Sequence, residues 1–159
     1  MSERKHQKSP PQKTLRHRAM DALARREHSR QELRDKLSRR ADDDISHLET
    51  VLDELGAQGL QSDARFAEAY ARSRVRRGYG PVRIRFDLQA RGVDKGLIES
   101  ALDELDADWF ELAFYALCKR FGTVPPDGFK DKARRGRFLQ QRGFSGDTVS
   151  AALDRLEQG

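Results

Sequence analysis

Arg76 and Arg77 precede a Gly78-Tyr79-Gly80-Pro81 joint, and Arg83 and Arg85 follow it on either side of Ile84. Guanidinium groups at this density bind anions, because each presents a planar fork of N–H donors and no acceptor. Tyr79, set among them, can stack on a nucleobase or pack beneath the joint. No other grouping has the residue types and spacing of a reactive centre. His6, His17, His28 and His47 are not paired at ligand spacing and Cys118 stands alone, so no zinc site is indicated. Asp42, Asp43 and Asp44 lack the alternate spacing, central glycine and closing glutamate of a calcium loop, and read as a solvated turn and helix cap. The single Gly-x-Gly follows a helix and precedes a proline, so it is neither a phosphate loop nor a dinucleotide fingerprint. The expectation is a binding protein with no catalytic residue, no metal and no cofactor. As a helix residue, Cys118 reads as a small core filler.

Composition agrees with a binding role. The chain has 159 residues, of which 36% are apolar and 36% charged, with a formal net charge of +5. That is little apolar material for one large core, and it suits an array in which each unit buries a modest stripe. The basic balance permits an anionic partner such as nucleic acid. One cysteine excludes an intrachain disulfide framework. No apolar run approaches the ~20 residues of a membrane span, and the basic N-terminus lacks the apolar stretch of a signal peptide. A cytoplasmic protein with no membrane association is expected.

The elements that must position the arginines recur along the chain. "VLDEL" closes at Leu55, "ALDEL" at Leu105 and "ALDRL" at Leu156, spacings of 50 and 51 residues. Upstream, Leu88, the "RGV" of 91–93, Ile98, Leu102 and Leu105 correspond to Leu139, the "RGF" of 142–144, Val149, Leu153 and Leu156. The first segment keeps Leu37, Arg40, Leu48, Leu52 and Leu55, with one extra residue in its turn. A fixed period of this length, with apolar residues returning at three and four, predicts tandem helical units. The fold class is therefore all-α: an elongated, curved array of three tandem three-helix repeats. The boundaries are placed at 15–59, 60–107 and 108–159, after a disordered basic tail over 1–14.

Cap signals divide each unit into helices A, B and C. In the first, helix A is expected over Leu15–Glu27. Ser29 and Glu32 form a capping box for B, and Ser46 with Glu49, or Asp44, opens C. In the second, Ser62 opens A and Gly78 ends it. Gly80 and Pro81 start B, Gly92 ends it and Asp94 caps C. In the third, Asp108 opens A, Gly122 closes it, "TVPPDG" (123–128) breaks the chain, Gly143 ends B and Ser145 caps C. The Gly-Tyr-Gly-Pro joint is thus punctuation between helices A and B of the middle unit.

Charge follows the same period. Residues 15–40 carry nine basic and four acidic residues, a net +5, whereas 42–55 carry six acidic and none basic, a net −6. Residues 64–93 come to +6, 94–108 to −5, 129–142 to +5 and 145–159 to −2. Basic A and B helices alternating with acidic C helices predict a basic ridge and an acidic edge. The ridge is assigned to Arg34, Lys36, Arg72, Arg74, Arg76, Arg77, Arg83, Arg85, Lys132, Arg134, Arg135 and Arg137, with Tyr79 beside it. The alternative is that these charges are solvated and paired across neighbouring helices. A partner carrying both signs, such as a nucleoprotein, suits the segregated arrangement.

"ARREHSRQELRDKL" (24–37) and "GLQSDARFAEAYARSRVRRGYGPVRIRFDLQARGV" (59–93) resemble the RecX regulators of the bacterial recombinase RecA. The resemblance covers most of the chain after residue 15. It is most specific in the middle unit, at Asp63, Arg65, Phe66, Ala67, Tyr70, Arg74, Gly78, Gly80, Arg83, Ile84, Leu88, Arg91 and Gly92. Phe86-Asp87 stands where members more often have a polar residue followed by Glu, and the third unit matches weakly. The resemblance implies a monomer that binds the RecA nucleoprotein filament on single-stranded DNA in the filament groove. It also implies inhibition of ATP hydrolysis, strand exchange and filament growth, which damps the SOS response. The competing reading from the residues alone is an independent DNA-binding helical-repeat module.

Overall fold

The computed structural model describes residues 13–39 and 45–159. The expectations for the basic tail up to residue 12, and for a cap at Asp44, lie outside the described residues. Within them the chain forms nine α-helices and no strand: α1 (Leu15–Arg25), α2 (Arg30–Ser38), α3 (Leu48–Ala57), α4 (Asp63–Arg76), α5 (Pro81–Ala90), α6 (Lys95–Glu104), α7 (Trp109–Phe121), α8 (Gly128–Gln141) and α9 (Gly146–Gln158).

Six of these helices begin where a short polar side chain replaces a missing backbone acceptor. The Ser29 hydroxyl accepts from the Glu32 amide while the Glu32 carboxylate accepts from the Ser29 amide, the reciprocal box expected for α2. Ser62, Asp94, Asp108 and Ser145 cap α4, α6, α7 and α9, each side chain accepting from an amide of the first turn. Gly80 starts α5 with Pro81 in the first turn. Three local expectations change. Thr14, placed in the tail from sequence, caps α1, and Lys13 pairs with Asp21 at 2.8 Å. α1 stops at Arg25 rather than Glu27. α3 is entered through a short 3-10 turn over Ile45–His47, with His47 rather than Ser46 at its N-cap and no side-chain cap bond from it.

Each group of three helices has its own apolar core. Ala19, Leu33, Leu37, Leu52 and Leu55 fill the first, Phe66, Ile84, Leu88, Ile98 and Leu102 the second, and Ala113, Leu117, Leu139, Phe144 and Leu153 the third. Half-buried Trp109 touches both the second and the third. Cys118 packs, partly buried, against the third. Successive units are joined mainly by hydrogen bonds at helix ends. The Ser29 hydroxyl donates to the Arg91 carbonyl at 2.8 Å, and the Arg30 amide donates to Asp63 Oδ1 at 2.8 Å. The Gly80 amide donates to the Arg142 carbonyl at 2.7 Å, and the Val82 amide to Gly143 at 2.9 Å.

Candidate nucleic-acid and filament interface

The joint of the opening motif is organised by an aspartate. Asp87 is buried on α5, one turn after Arg83. Its Oδ2 accepts from the Tyr70 hydroxyl at 2.9 Å and its Oδ1 from Arg83 Nε at 3.1 Å, with Arg74 Nε 3.9 Å away. Arg91 donates to the Asp87 carbonyl at 3.0 Å. Burial, followed by the bond to the Asp87 carboxylate, pushes the Tyr70 phenol above its usual pKa. The Tyr70 ring lies against Arg74 and Arg91, with guanidinium carbons 4.9 and 4.8 Å from its centroid. Tyr79 packs in the same way against Arg74 at 5.4 Å, Arg83 at 5.8 Å and Arg142 at 4.9 Å. Of the two roles open to Tyr79, its surroundings match packing beneath the joint.

The rest of the proposed ridge divides by whether each cation already has a partner. Arg34 Nε meets Glu49 Oε1 at 2.6 Å, and Arg85 Nε meets Glu99 Oε1 at 2.7 Å. These are one pair repeated. Arg34 and Arg85 each lie three residues before the aligned Leu37 and Leu88, and Glu49 and Glu99 each follow the aligned Leu48 and Ile98. The third unit has Gly136 and Ser150 at the matching positions and no such pair. Hydrogen bonds from Arg34 and then Arg30 hold the Glu49 carboxyl down at about 2, and Arg85 lowers Glu99 likewise. Lys132 pairs with Glu157 at 2.9 Å and Arg134 with Asp131 at 2.8 Å. The pairs of Arg34, Arg85 and Lys132 are water-screened and add little stability, and Arg134 meets a half-buried Asp131 that it shares with Arg135, but all four neutralise ridge charge locally.

Arg135 does not belong to an exposed ridge. Its side chain is only 7% exposed, its Nη1 donates to the Val124 carbonyl at 2.7 Å and its Nη2 pairs with Asp131 at 3.1 Å. It ties the 123–128 breaker to α8. Lys36, Arg72, Arg76, Arg77 and Arg137 are exposed and make no ion pair among the described residues. Arg72 and Arg76 stand one turn apart on α4 and so share a face. The segregation expected from charge counting is therefore partial: neighbouring A, B and C helices neutralise one another at Arg30, Arg34, Arg85 and Lys132, and unpaired cations remain at Arg72, Arg76 and Arg77 on and just after α4, at Lys36 on α2 and at Arg137 on α8.

Sequence reading missed Asp87, Arg91 and Arg142 as organisers of the joint. A signal was present, since Arg91 and Arg142 occupy the same position in successive repeats. It also missed His28, which is buried between the first two units. Its Nδ1 lies 3.1 Å from the Arg26 carbonyl, and its own carbonyl accepts from Gln61. Among the described residues no group of three or more His, Cys, Asp or Glu side chains is placed to hold a metal ion, and no helix is long and apolar enough to cross a membrane.

Comparison with known proteins matches this arrangement unit by unit. Family models described as the first, second and third three-helix domains of RecX match residues 16–55, 62–102 and 106–153. The regulatory protein RecX of Halorhodospira halophila is 44% identical over 144 residues, covering 91% of this chain and 89% of that protein. That of Chromohalobacter salexigens is 46% identical over 147 residues, covering 91% and 94%. The crystal structure of RecX from Lactobacillus salivarius shares the fold, with a TM-score of 0.73 at 24% identity over 91% of this chain and 96% of the other. With three domain matches in order and relatives this similar along nearly their whole length, the chain belongs to the RecX family of regulatory proteins.

Proposed function

We propose that this protein binds the RecA filament on single-stranded DNA, lies in its groove and restrains ATP hydrolysis, strand exchange and filament growth. By that route it moderates recombination and the SOS response. It acts as a monomer in the cytoplasm, by binding and without catalysis of its own. The units that do so are bounded at 15–59, 60–107 and 108–159.

The observation that carries the reading is the set of uncompensated cations Arg72, Arg76 and Arg77 on and just after α4, beside ion pairs that recur with the helical repeat. A nucleoprotein presents phosphates to such cations and polar protein surface to the neutralised remainder. The basic residues that remain contact candidates are Lys36, Arg72, Arg76, Arg77 and Arg137. Arg34, Arg85, Lys132 and Arg134 become available only if their ion pairs open.

The test is DNA-dependent ATP hydrolysis by the cognate RecA on single-stranded DNA with this protein titrated in. Inhibition far below one molecule per RecA subunit supports a modulator that blocks growth. Inhibition only near saturation of the DNA would replace this reading with competition for phosphates by an independent DNA-binding module, which would also show strong free binding with a steep salt dependence.

A further inference from the structure

A cleft of about 570 Å3 opens between the C-terminal end of α4 and the helices α7 and α8, where the second unit meets the third. Arg76, Arg77, Lys119, Arg120 and Arg142 line it, and no acidic residue does. Its apolar wall is made by Val75, Leu112, Ala116 and Phe138, with Tyr115 alongside. Tyr115 is 66% exposed, although Ala113, Ala116 and Leu117 on the same helix are buried. It contributes nothing to the third core, so packing does not explain an aromatic residue there.

The hydrogen-bonding inventory of the cleft narrows its ligand. Arginine and lysine side chains donate and never accept, and the Tyr115 hydroxyl is the single acceptor among the lining side chains. A peptide would bring a backbone N–H with every residue and find few acceptors for them. A phosphodiester chain brings acceptors along its length and matches a wall of donors. Exposed aromatic rings in a positively charged groove are how single strands are held, since every base has a flat face to stack. In a duplex those faces are already stacked on one another. The volume falls within the usual range of about 300–1,000 Å3 for small-ligand sites.

We propose that this cleft receives a nucleotide of single-stranded DNA. Its phosphates lie on Arg76, Arg77 and Lys119, and its base stacks on Tyr115 against the apolar wall. The inference rests on the reading of a DNA–protein filament as the partner. It puts the base-contacting aromatic at Tyr115 rather than Tyr79, whose ring is already occupied by three guanidinium groups.

The experiment is fluorescence anisotropy with two labelled probes, an oligothymidine and an abasic deoxyribose-phosphate strand of the same length. Wild type is compared with Tyr115→Ala, Tyr115→Phe and Lys119→Gln, and circular dichroism confirms that each is folded. Tyr115→Ala should weaken oligothymidine binding about tenfold and leave the abasic strand unchanged, while Tyr115→Phe binds both as wild type does. Lys119→Gln should weaken both probes and reduce the salt slope by about 0.7. A 5-iododeoxyuridine strand should photocrosslink to Tyr115. Equal binding of oligothymidine by Tyr115→Ala and wild type, or crosslinking only at other residues, would overturn the proposal. So would a glutamate-rich peptide that displaces the strand and itself loses affinity on Tyr115→Ala, which would assign the cleft to acidic peptide. RecA inhibition with Tyr115-independent strand binding would sink the cleft alone. Tyr115-dependent strand binding by a protein that leaves RecA unaffected would sink the proposed function and keep the cleft.

Discussion

The Gly80 amide donates to the Arg142 carbonyl at 2.7 Å, joining the start of α5 to the end of α8. One repeat earlier, the Ser29 hydroxyl donates to the Arg91 carbonyl at 2.8 Å, joining the start of α2 to the end of α5. Ser29 and Gly80 are N-caps of the second helix in their units, and Arg91 and Arg142 are the C-caps of the second helix in the next. The middle helices of successive units therefore meet head to tail. A helix start presents orphan N–H groups and a helix end orphan carbonyls, so each junction helps to satisfy both and brings ends of opposite partial charge together. The second junction is made backbone to backbone, whereas the first runs through the Ser29 hydroxyl and the Asp63 carboxylate.

The junction requires the absence of a Cβ at Gly143. Its φ is +92°, and a Cβ there would overlap that of Arg83 and lie 2.5 Å from the Arg83 amide nitrogen. Gly143→Ala combines left-handed strain with overpacking and should cost about 2–4 kcal/mol. Gly59 also has positive φ, +71°, but a Cβ there meets nothing within 4 Å. Gly59→Ala should cost only the strain, about 1–2 kcal/mol. Urea denaturation of the two variants compares them directly, and equal losses would mean that the junction gives way to a methyl group.

Asp87 should matter more than its place on a basic helix suggests. Asp87→Ala strands the Tyr70 hydroxyl and removes the partner of Arg83, costing about 2–3 kcal/mol. Tyr70→Phe removes one bond and keeps the ring against Arg74 and Arg91, costing about 1 kcal/mol. Thermal denaturation should rank the two in that order. The reverse order would show that the ring, not the carboxylate, holds the joint.

His28 gives the first junction a pH dependence. Burial, more than the nearby Arg26 charge, lowers its pKa below the ordinary value, against the raising influence of the Arg26 carbonyl and Glu32. With the folded pKa depressed, the unfolded chain binds the proton first. Stability is then fully present above about pH 6.5 and is lost as pH falls below it towards the folded value. Glu32 titrates lower still. Burial opposes its ionisation but is outweighed by Arg26 and the Ser29 amide, so its contribution is lost only below the ordinary carboxylate range. Denaturation midpoints of wild type should fall between pH 7.5 and 5.5, and His28→Gln should flatten that fall. An unchanged slope in His28→Gln would place the dependence elsewhere.

The repeats, the caps at Ser29, Ser62, Asp94, Asp108 and Ser145, and the helix-ending glycines were legible because each is decided within a few residues of itself. Leu33, Leu37, Ile84, Leu88 and Leu139 followed from period alone. Charge was harder to read. Whether Arg34 is free depends on Glu49, fifteen residues on and on another helix, and whether Arg135 is exposed depends on where the 123–128 segment folds back. Counting charge by helix found the alternation but could not say that part of it cancels across helix pairs. His28 was illegible for the same reason: burial between two units is a property of their contact.

That cancellation yields the sharpest functional prediction. If affinity for the filament comes from uncompensated cations, Arg72, Arg76, Arg77 and Arg137 should dominate it. Replacing these four by Ala should raise the protein concentration that half-inhibits RecA ATP hydrolysis about tenfold and lower the salt slope of strand binding by about 0.7 for each phosphate-neutralising cation removed. Helicity should be unchanged, because none of the four is buried or paired among the described residues. Replacing Arg34, Arg85 and Lys132 should do less, since each is already held by a carboxylate at 2.6, 2.7 and 2.9 Å. Arg74 and Arg83 belong in neither set, because they surround Asp87 and Tyr79 and their loss would disturb the joint itself. Glu99→Gln supplies the converse: it releases Arg85 without touching a basic residue and should tighten strand binding at low salt. Equal loss of potency from the two basic sets, with no gain from Glu99→Gln, would mean that the repeated ion pairs open on binding and that the whole ridge acts together.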